Sequence, residues 1–345
     1  MNSTTKKALI VSPYLDHLGG GERYMLSLAS VLESLGHEIY FAWDNLGEIN
    51  SLAGMFGLTL SRPQLDPPVK NLYITHHPLS MYLATRPYDV VVYLSDGSIP
   101  LLGGKRNILH MQVPFHGVKG RSWKNQLKKR FIHSVIVNSR FTKKIIDQEF
   151  NIDSIVLYPP VAPIKSGSKE KIILSVGRFE PSLNTKHQDV LIQAFRELSP
   201  QLPGWKLVLA GASSNEDWVN HLRQLADGLP IEFMVNATYH ELCAMYSISS
   251  IYWHAAGYGI NESKNPELTE HFGISSVEAI SAGCIPLVVP SGGQKEIVPD
   301  PSLHWTTIPE LIVKTLDIIS TPPTTKLDTS LYSIEKFSDQ LKKII

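Results

Sequence analysis

The sequence predicts an α/β protein of two units, each a parallel sheet covered by helices. Three observations carry this. Short β-branched apolar runs alternate with helical patterns along the whole chain, the mark of strands buried on both faces. The alternation breaks over residues 158–171 (YPPVAPIKSGSKEK), where four residues are proline or glycine and no apolar period exists, and then restarts. The length, 345 residues with 43% hydrophobic content, suits two well-filled domains better than one.

In chain order, the strands of the first unit are expected at KALIVSPY (7–14), HEIYFAW (37–43), NLYITHH (71–77), DVVVYLSD (89–96), NILHMQ (107–112), SVIVNS (134–139) and IVLYPP (155–160). Between the first two, GERYMLSLASVLESLG places Met25, Leu28, Leu32 and Leu35 at helical spacing, and Gly36 closes the helix. The second unit repeats the pattern with strands at 171–177, 205–211, 231–235, 251–256 and 285–290. Helices are expected at 189–198, 216–228, 240–249 and 275–283. A second break at TPPTTKLD precedes a last amphipathic helix with Ile334, Phe337, Leu341 and Ile344 on one face. The predicted domains are therefore 1–162, 163–325 and a terminal helical segment, 326–345.

Composition excludes several classes. Lys plus Arg and Asp plus Glu are both 32, so there is no basic excess for a nucleic-acid partner. Cys243 and Cys284 form no CxxC or Cys/His cluster, which argues against a disulfide scaffold or structural zinc and for a reducing, cytoplasmic setting. No secretory h-region and no run of 18 apolar residues is present.

The chemistry concentrates in PELTEHFGISSVEAISAGCIPLVVPSGG, residues 266–293. Glu270 precedes a Phe-Gly turn, a helix starts near Gly273, and Glu278 lies about one turn inside it. A helix start offers unpaired amides and a partial positive charge that suit phosphate. Carboxylates on either side suit hydroxyls, so the arrangement reads as sugar, diphosphate and ribose in a row. After the strand 171–177 come Arg178 and Lys186, two cations eight positions apart on a loop. After the first strand, Gly19, Gly20 and Gly21 open a helix and allow a backbone approach to phosphate. Tyr24 stands where GxGxxG needs its last glycine, so a nicotinamide cofactor is disfavoured.

Glu270 and Glu278, with HFG between them and EAISAGCIPLVVPSGGQKEIV behind, resemble the donor-site signature of glycosyltransferase family 4, retaining enzymes of the GT-B fold. The resemblance extends to GGGER and to the GRF segment with Lys186. It implies two Rossmann-like α/β/α domains facing a central cleft, acceptor-binding first and donor-binding second, with the terminal helix crossing back to the first. It also implies roles. Arg178 and Lys186 hold the donor diphosphate in place of a metal. Glu270 faces the donor sugar, and the amides of Phe272, Gly273 and Ile274 meet the sugar and distal phosphate. Glu278 takes the ribose hydroxyls, and the backbone from Asn236 to Thr238 meets the base. Gly20 and Gly21 approach the donor, and His110 faces the reaction centre. His76, His77 and Asp96 compete with His110 for the same edge. The loop 254–267 departs from the pattern by its length.

The expected activity is a retaining, metal-independent transfer of a hexosyl group, mannose from GDP-mannose or a hexose from a UDP-sugar, to a glycan or lipid-linked acceptor hydroxyl. No cofactor beyond the nucleotide-sugar co-substrate is expected. The alternatives are a GT-B nucleotide-sugar epimerase and a catalytically silent sugar-nucleotide-binding protein. The stretch 119–133 (KGRSWKNQLKKRFIH) reads as a basic amphipathic helix for peripheral contact with an anionic membrane, or as an ordinary solvated rim helix.

Overall fold

The structure, a computed structural model, describes residues 5–13, 15, 19–75, 77–181, 186–323 and 327–345. The chain divides into two units, Met1–Pro160 with Glu335–Ile345, and Val161–Ile334. The first unit ends at Pro160, and residues 327–333 belong to the second unit, ahead of the terminal helix.

The first unit carries a seven-stranded parallel sheet. Its strands are β1 (Lys6–Val11), β2 (His37–Phe41), β3 (Gln64–Leu65), β4 (Val90–Leu94), β5 (Arg106–Met111), β6 (Ser134–Val137) and β7 (Ile155–Val156), in the order β3-β2-β1-β4-β5-β6-β7. Alternate residues feed two separate cores. Ala8, Ile10, Val90 and Val92 pack on one face. Leu9, Val11, Val91 and Tyr93 pack on the other. This is why β1 and β4 read as continuous apolar runs. The helix Gly20–Ser34 lays Met25, Leu28 and Leu32 on the first face, each 0% exposed.

The second unit carries five parallel strands, β8 (Glu170–Val176), β9 (Lys206–Gly211), β10 (Ile231–Val235), β11 (Ser249–His254) and β12 (Ile285–Val288), in the order β10-β9-β8-β11-β12. Ile172, Leu174, Val208, Ala210 and Tyr252 form its core with Tyr246, Ala279 and Cys284.

Two expectations are corrected. The expected strand 71–77 is helical over its first five residues: Pro67–Thr75 is a helix and His77 caps the next one, Pro78–Thr85, with His76 outside the described residues. Asp66 starts the first of these by accepting from the Val69 amide at 3.3 Å, and two prolines in the first turn suit a helix start. In the terminal helix Ile334–Ile344, Ile334 is 42% exposed, whereas Phe337, Leu341 and Ile344 are buried in the first unit's core. At about 1.5–3 kcal/mol for each large apolar side chain removed from water, those three hold the chain's return to the first unit.

In each sheet the strand order reverses once, between β1 and β4 and between β8 and β11. Ligands of open α/β sheets bind beyond the carboxyl ends of strands at such points. Gly19–Gly21 and Asp96 follow β1 and β4, and Arg178 and His254 stand at the ends of β8 and β11.

Candidate functional site

The second unit gathers its candidates around Glu270. Lys186 Nζ donates to Glu270 Oε2 at 2.7 Å, and His254 Nε2 meets the same oxygen at 3.0 Å. The side chains are 16%, 3% and 14% exposed for Lys186, His254 and Glu270, so these contacts form largely out of water. Burial by itself would raise the Glu270 pKa. The Lys186 charge and the His254 hydrogen bond outweigh it and hold the carboxyl well below the ordinary range. Burial lowers the His254 pKa, opposed by Glu270. Lys186 has two further ammonium protons for a phosphate.

The loop carrying Glu270 is fixed by the SGG turn. The Gly293 amide donates to the Glu270 carbonyl at 2.7 Å. At Gly292, with φ +63°, a Cβ would lie 2.0 Å from that carbonyl, so only glycine fits. The long loop before Glu270 is tied to the same turn. Glu262 accepts from the Gly292 amide at 3.0 Å and pairs with Lys295 at 2.6 Å. Tyr258 of that loop stacks near Trp305, with ring centroids 5.4 Å apart.

Gly273, with φ +116°, precedes the helix Ile274–Ser281. Phe272 is 3% exposed and packs edge-on against Tyr332, which fixes the Phe-Gly turn at the helix start. Glu278 is 5% exposed, so it is not a surface charge. It lies beside the Tyr246 phenol, which burial and then the Glu278 charge keep protonated. Arg178 is exposed just past β8. Thr238 caps the helix Tyr239–Ile248 in a capping box with Glu241, so its side chain is already engaged and only backbone is left for a base. Asn236 adopts φ +57° and accepts from the Ser213 amide at 2.9 Å.

In the first unit, His110 is corrected. It is 0% exposed and stacks on Tyr24 with ring centroids 4.2 Å apart. Its Nδ1 lies 3.3 Å from the Ile136 carbonyl, and burial pushes its pKa down to about 3. It is a neutral core histidine. Gln112, two residues on and on the same face of the strand direction, takes the outer position. A Cβ on Gly21 would lie 2.4 Å from the Gln112 amide, so that glycine admits Gln112 rather than a ligand alone. Gly20 is exposed in the first turn of the helix. Asp96 is exposed and accepts from the Ser98 amide at 3.1 Å, and His77 is exposed. His76 lies outside the described residues.

Glu270, Lys186 and His254 thus come together, and His254 and Gln112 are residues that the sequence reading did not single out. A lone histidine ending a strand gives no signal by itself, and neither does a glutamine.

Residues 162–307 match the family described as glycosyl transferases group 1. The chain is 30% identical over 196 residues to a Dictyostelium discoideum protein named GDP-Man:Man(3)GlcNAc(2)-PP-Dol alpha-1,2-mannosyltransferase, covering 50% of this chain and 36% of that one. The Homo sapiens protein of the same name is 33% identical over 186 residues, covering 47% and 35%. The chain thus spans about a third of the length of these relatives. Among solved structures, Anabaena HepE in complex with UDP and glucose superposes with a TM-score of 0.73 at 17% identity, over 98% of both chains. A glycosyltransferase from Rickettsia africae superposes with a TM-score of 0.70 at 15% identity, over 99% and 98%. At such identities the likeness is one of fold, and the fold is GT-B.

Proposed function

Starting from a second unit that is a glycosyl transferases group 1 domain on a GT-B fold, as the sequence resemblance led one to expect, we propose that the protein is a retaining, metal-independent glycosyltransferase. The observation that carries this is the Lys186–Glu270–His254 cluster at the reversal point of the second sheet, beside the start of the helix Ile274–Ser281. A nucleotide-sugar fits it. Arg178 and Lys186 take the diphosphate, with the helix start adding partial positive charge. Glu278 takes the ribose hydroxyls, and Glu270 faces the sugar.

The relatives' names favour GDP-mannose as donor and a lipid-linked oligosaccharide as acceptor. Glycosyl transfer passes through an oxocarbenium-like state. Glu270, kept ionised by Lys186, suits the positive charge that develops at the anomeric carbon. Fixed cations suit the negative charge that develops on the departing diphosphate. Front-face attack, with that phosphate taking the acceptor proton, uses all of these groups and needs no carboxylate on the opposite face.

The test is release of nucleoside diphosphate from a panel of GDP- and UDP-sugars, with and without EDTA. Release from at least one donor, undiminished by EDTA, is expected. Full loss with EDTA and rescue by Mg²⁺ or Mn²⁺ would remove metal independence from the reading. Release of no nucleoside diphosphate from any donor would return the choice to an epimerase or a silent binding protein.

An anionic membrane surface is proposed as a further partner of the first unit. Trp123, Leu127 and Phe131 are 69%, 47% and 41% exposed at helical spacing over Trp123–Phe131, flanked by Lys124, Lys128, Lys129 and Arg130. Phe131 meets Tyr82 edge-on at 5.7 Å, which joins this face to the helix Pro78–Thr85, where Leu79 and Leu83 are 67% and 54% exposed. Near an anionic surface each cation contributes about 1 kcal/mol within roughly 8–10 Å. Among the described residues no helix is long and apolar enough to cross a membrane. Co-sedimentation with phosphatidylglycerol liposomes is expected to fall with added salt and on changing Lys124, Lys128, Lys129 and Arg130 to Gln. Equal pelleting of that variant and wild type, or none of either, makes this a solvated rim.

A further inference from the structure

We propose that His254 is a positioning residue for the transfer assigned above: its Nε2–H locks Oε2 of Glu270 and leaves Oε1 to meet the donor sugar. This rests on that reading of the site and deepens it. A carboxylate only accepts hydrogen bonds, so the proton of the His254–Glu270 contact, 3.0 Å long, sits on Nε2. Nδ1 is then the bare nitrogen. It is buried without a hydrogen-bond partner, so a second proton there would have nothing to bind. The imidazole is therefore neutral, and burial lowers its pKa in the same sense.

Gln294 is 0% exposed and packs beside the ring, its amide nitrogen 3.3 Å from the same Nε2. That nitrogen is itself a donor and takes no hydrogen bond from the Nε2–H, which is left to Glu270. On its other side the amide rests against Gly273, where a Cβ would lie 2.3 Å from it. The hydrogen bonds that hold the carboxylate are therefore those from His254 and Lys186, at 3.0 and 2.7 Å. Both donors end on Oε2 and neither on Oε1.

The titratable and charged groups around His254 are Glu270 and Lys186, with His271 acting through the same pair and Tyr252, whose ring centroid lies 6.3 Å away. None offers Nδ1 a hydrogen bond. A histidine so placed acts as a fixed dipole, not as a proton shuttle, and this separates the proposal from general acid–base catalysis.

The experiment compares wild type with His254→Leu, which deletes the N–H, and His254→Gln, which restores an amide N–H at similar reach. Nucleoside diphosphate release is followed between about pH 6 and 9, where a histidine near its ordinary pKa would begin to titrate. GDP and UDP binding are measured by calorimetry. His254→Leu is expected to lower kcat about 10- to 100-fold with the nucleoside diphosphate Kd within about twofold, His254→Gln to recover most of the loss, and the pH profiles to stay parallel. Because His254→Gln keeps a donor at the site, the test does not depend on the leucine variant folding. Equal loss of kcat and nucleotide affinity in His254→Leu, no recovery with glutamine, or a pH limb that vanishes in His254→Leu overturns the proposal. An active wild type with an undiminished His254→Leu overturns this role alone. A wild type that binds neither GDP nor UDP and releases neither overturns the reading of the whole site.

Discussion

Replacing Lys186 by alanine is expected to lower kcat/KM roughly 30- to 1000-fold, the loss of about 2–4 kcal/mol of transition-state stabilisation, with Arg178→Ala inside the same range. The two losses differ in origin. Arg178 is exposed past β8, and its removal takes one cation from the diphosphate. Lys186 is 16% exposed and also bonds Glu270 at 2.7 Å, so its removal leaves a buried carboxylate with His254 as its remaining donor. An unpaired buried charge is costly, and its pKa rises. Lys186→Ala should therefore bring a pH dependence that Arg178→Ala lacks: as Glu270 returns toward the ordinary carboxylate pKa, its ionised form is lost at a higher pH than in wild type. Calorimetry with GDP and UDP, alongside turnover across pH, reads both effects. Unchanged turnover in both variants would remove the donor-site assignment.

Glu270→Ala and Glu278→Ala should part company. Glu270→Ala is expected to cut kcat by about 100- to 1000-fold, because its charge faces a positive charge that appears only in the transition state. Glu278→Ala is expected chiefly to raise the donor KM, by about tenfold or more, because ribose contacts are equal in ground and transition states. Glu278 is 5% exposed beside the Tyr246 phenol, so Glu278→Gln, which keeps a partner there, controls for loss of fold. The same kinetic signature in both alanine variants would refute this division of roles.

Several features were legible before any coordinates. Runs such as VVVY in β4 are apolar at every position because alternate residues feed two cores, and that requirement is written into the composition of the strand. Glu278 inside an otherwise apolar or small helix was readable as an inward charge, and it is 5% exposed. The Phe-Gly turn at a helix start was readable too, and the structure adds why glycine is needed there and in SGG. Gly273 holds φ +116°, and Gly292 leaves no room for a Cβ against the Glu270 carbonyl.

What was misread has a common physical origin. NLYITHH has the composition of a strand, but residues 71–75 continue a helix set upstream by Asp66 and two prolines and by packing of Val69, Leu72 and Tyr73 on the first unit's core. His110 and Gln112 lie on the same face of one extended segment, and only the height of the overlying helix, with Tyr24 above one and Gly21 above the other, decides which of them is enclosed. Ile334 and Phe337 share a helical period, yet only Phe337 meets the core. By itself the sequence determined the two parallel α/β units and the break between them, because periodicity and turn residues are local properties, and its resemblance to a known family supplied the candidate donor residues Arg178, Lys186, Glu270 and Glu278. The tertiary structure alone decided that Lys186 and His254 share one oxygen of Glu270, and that His110 is core while Gln112 is not. Those are contacts between residues 84 and 16 positions apart or between a strand and the overlying helix, and no local pattern encodes a distance in space.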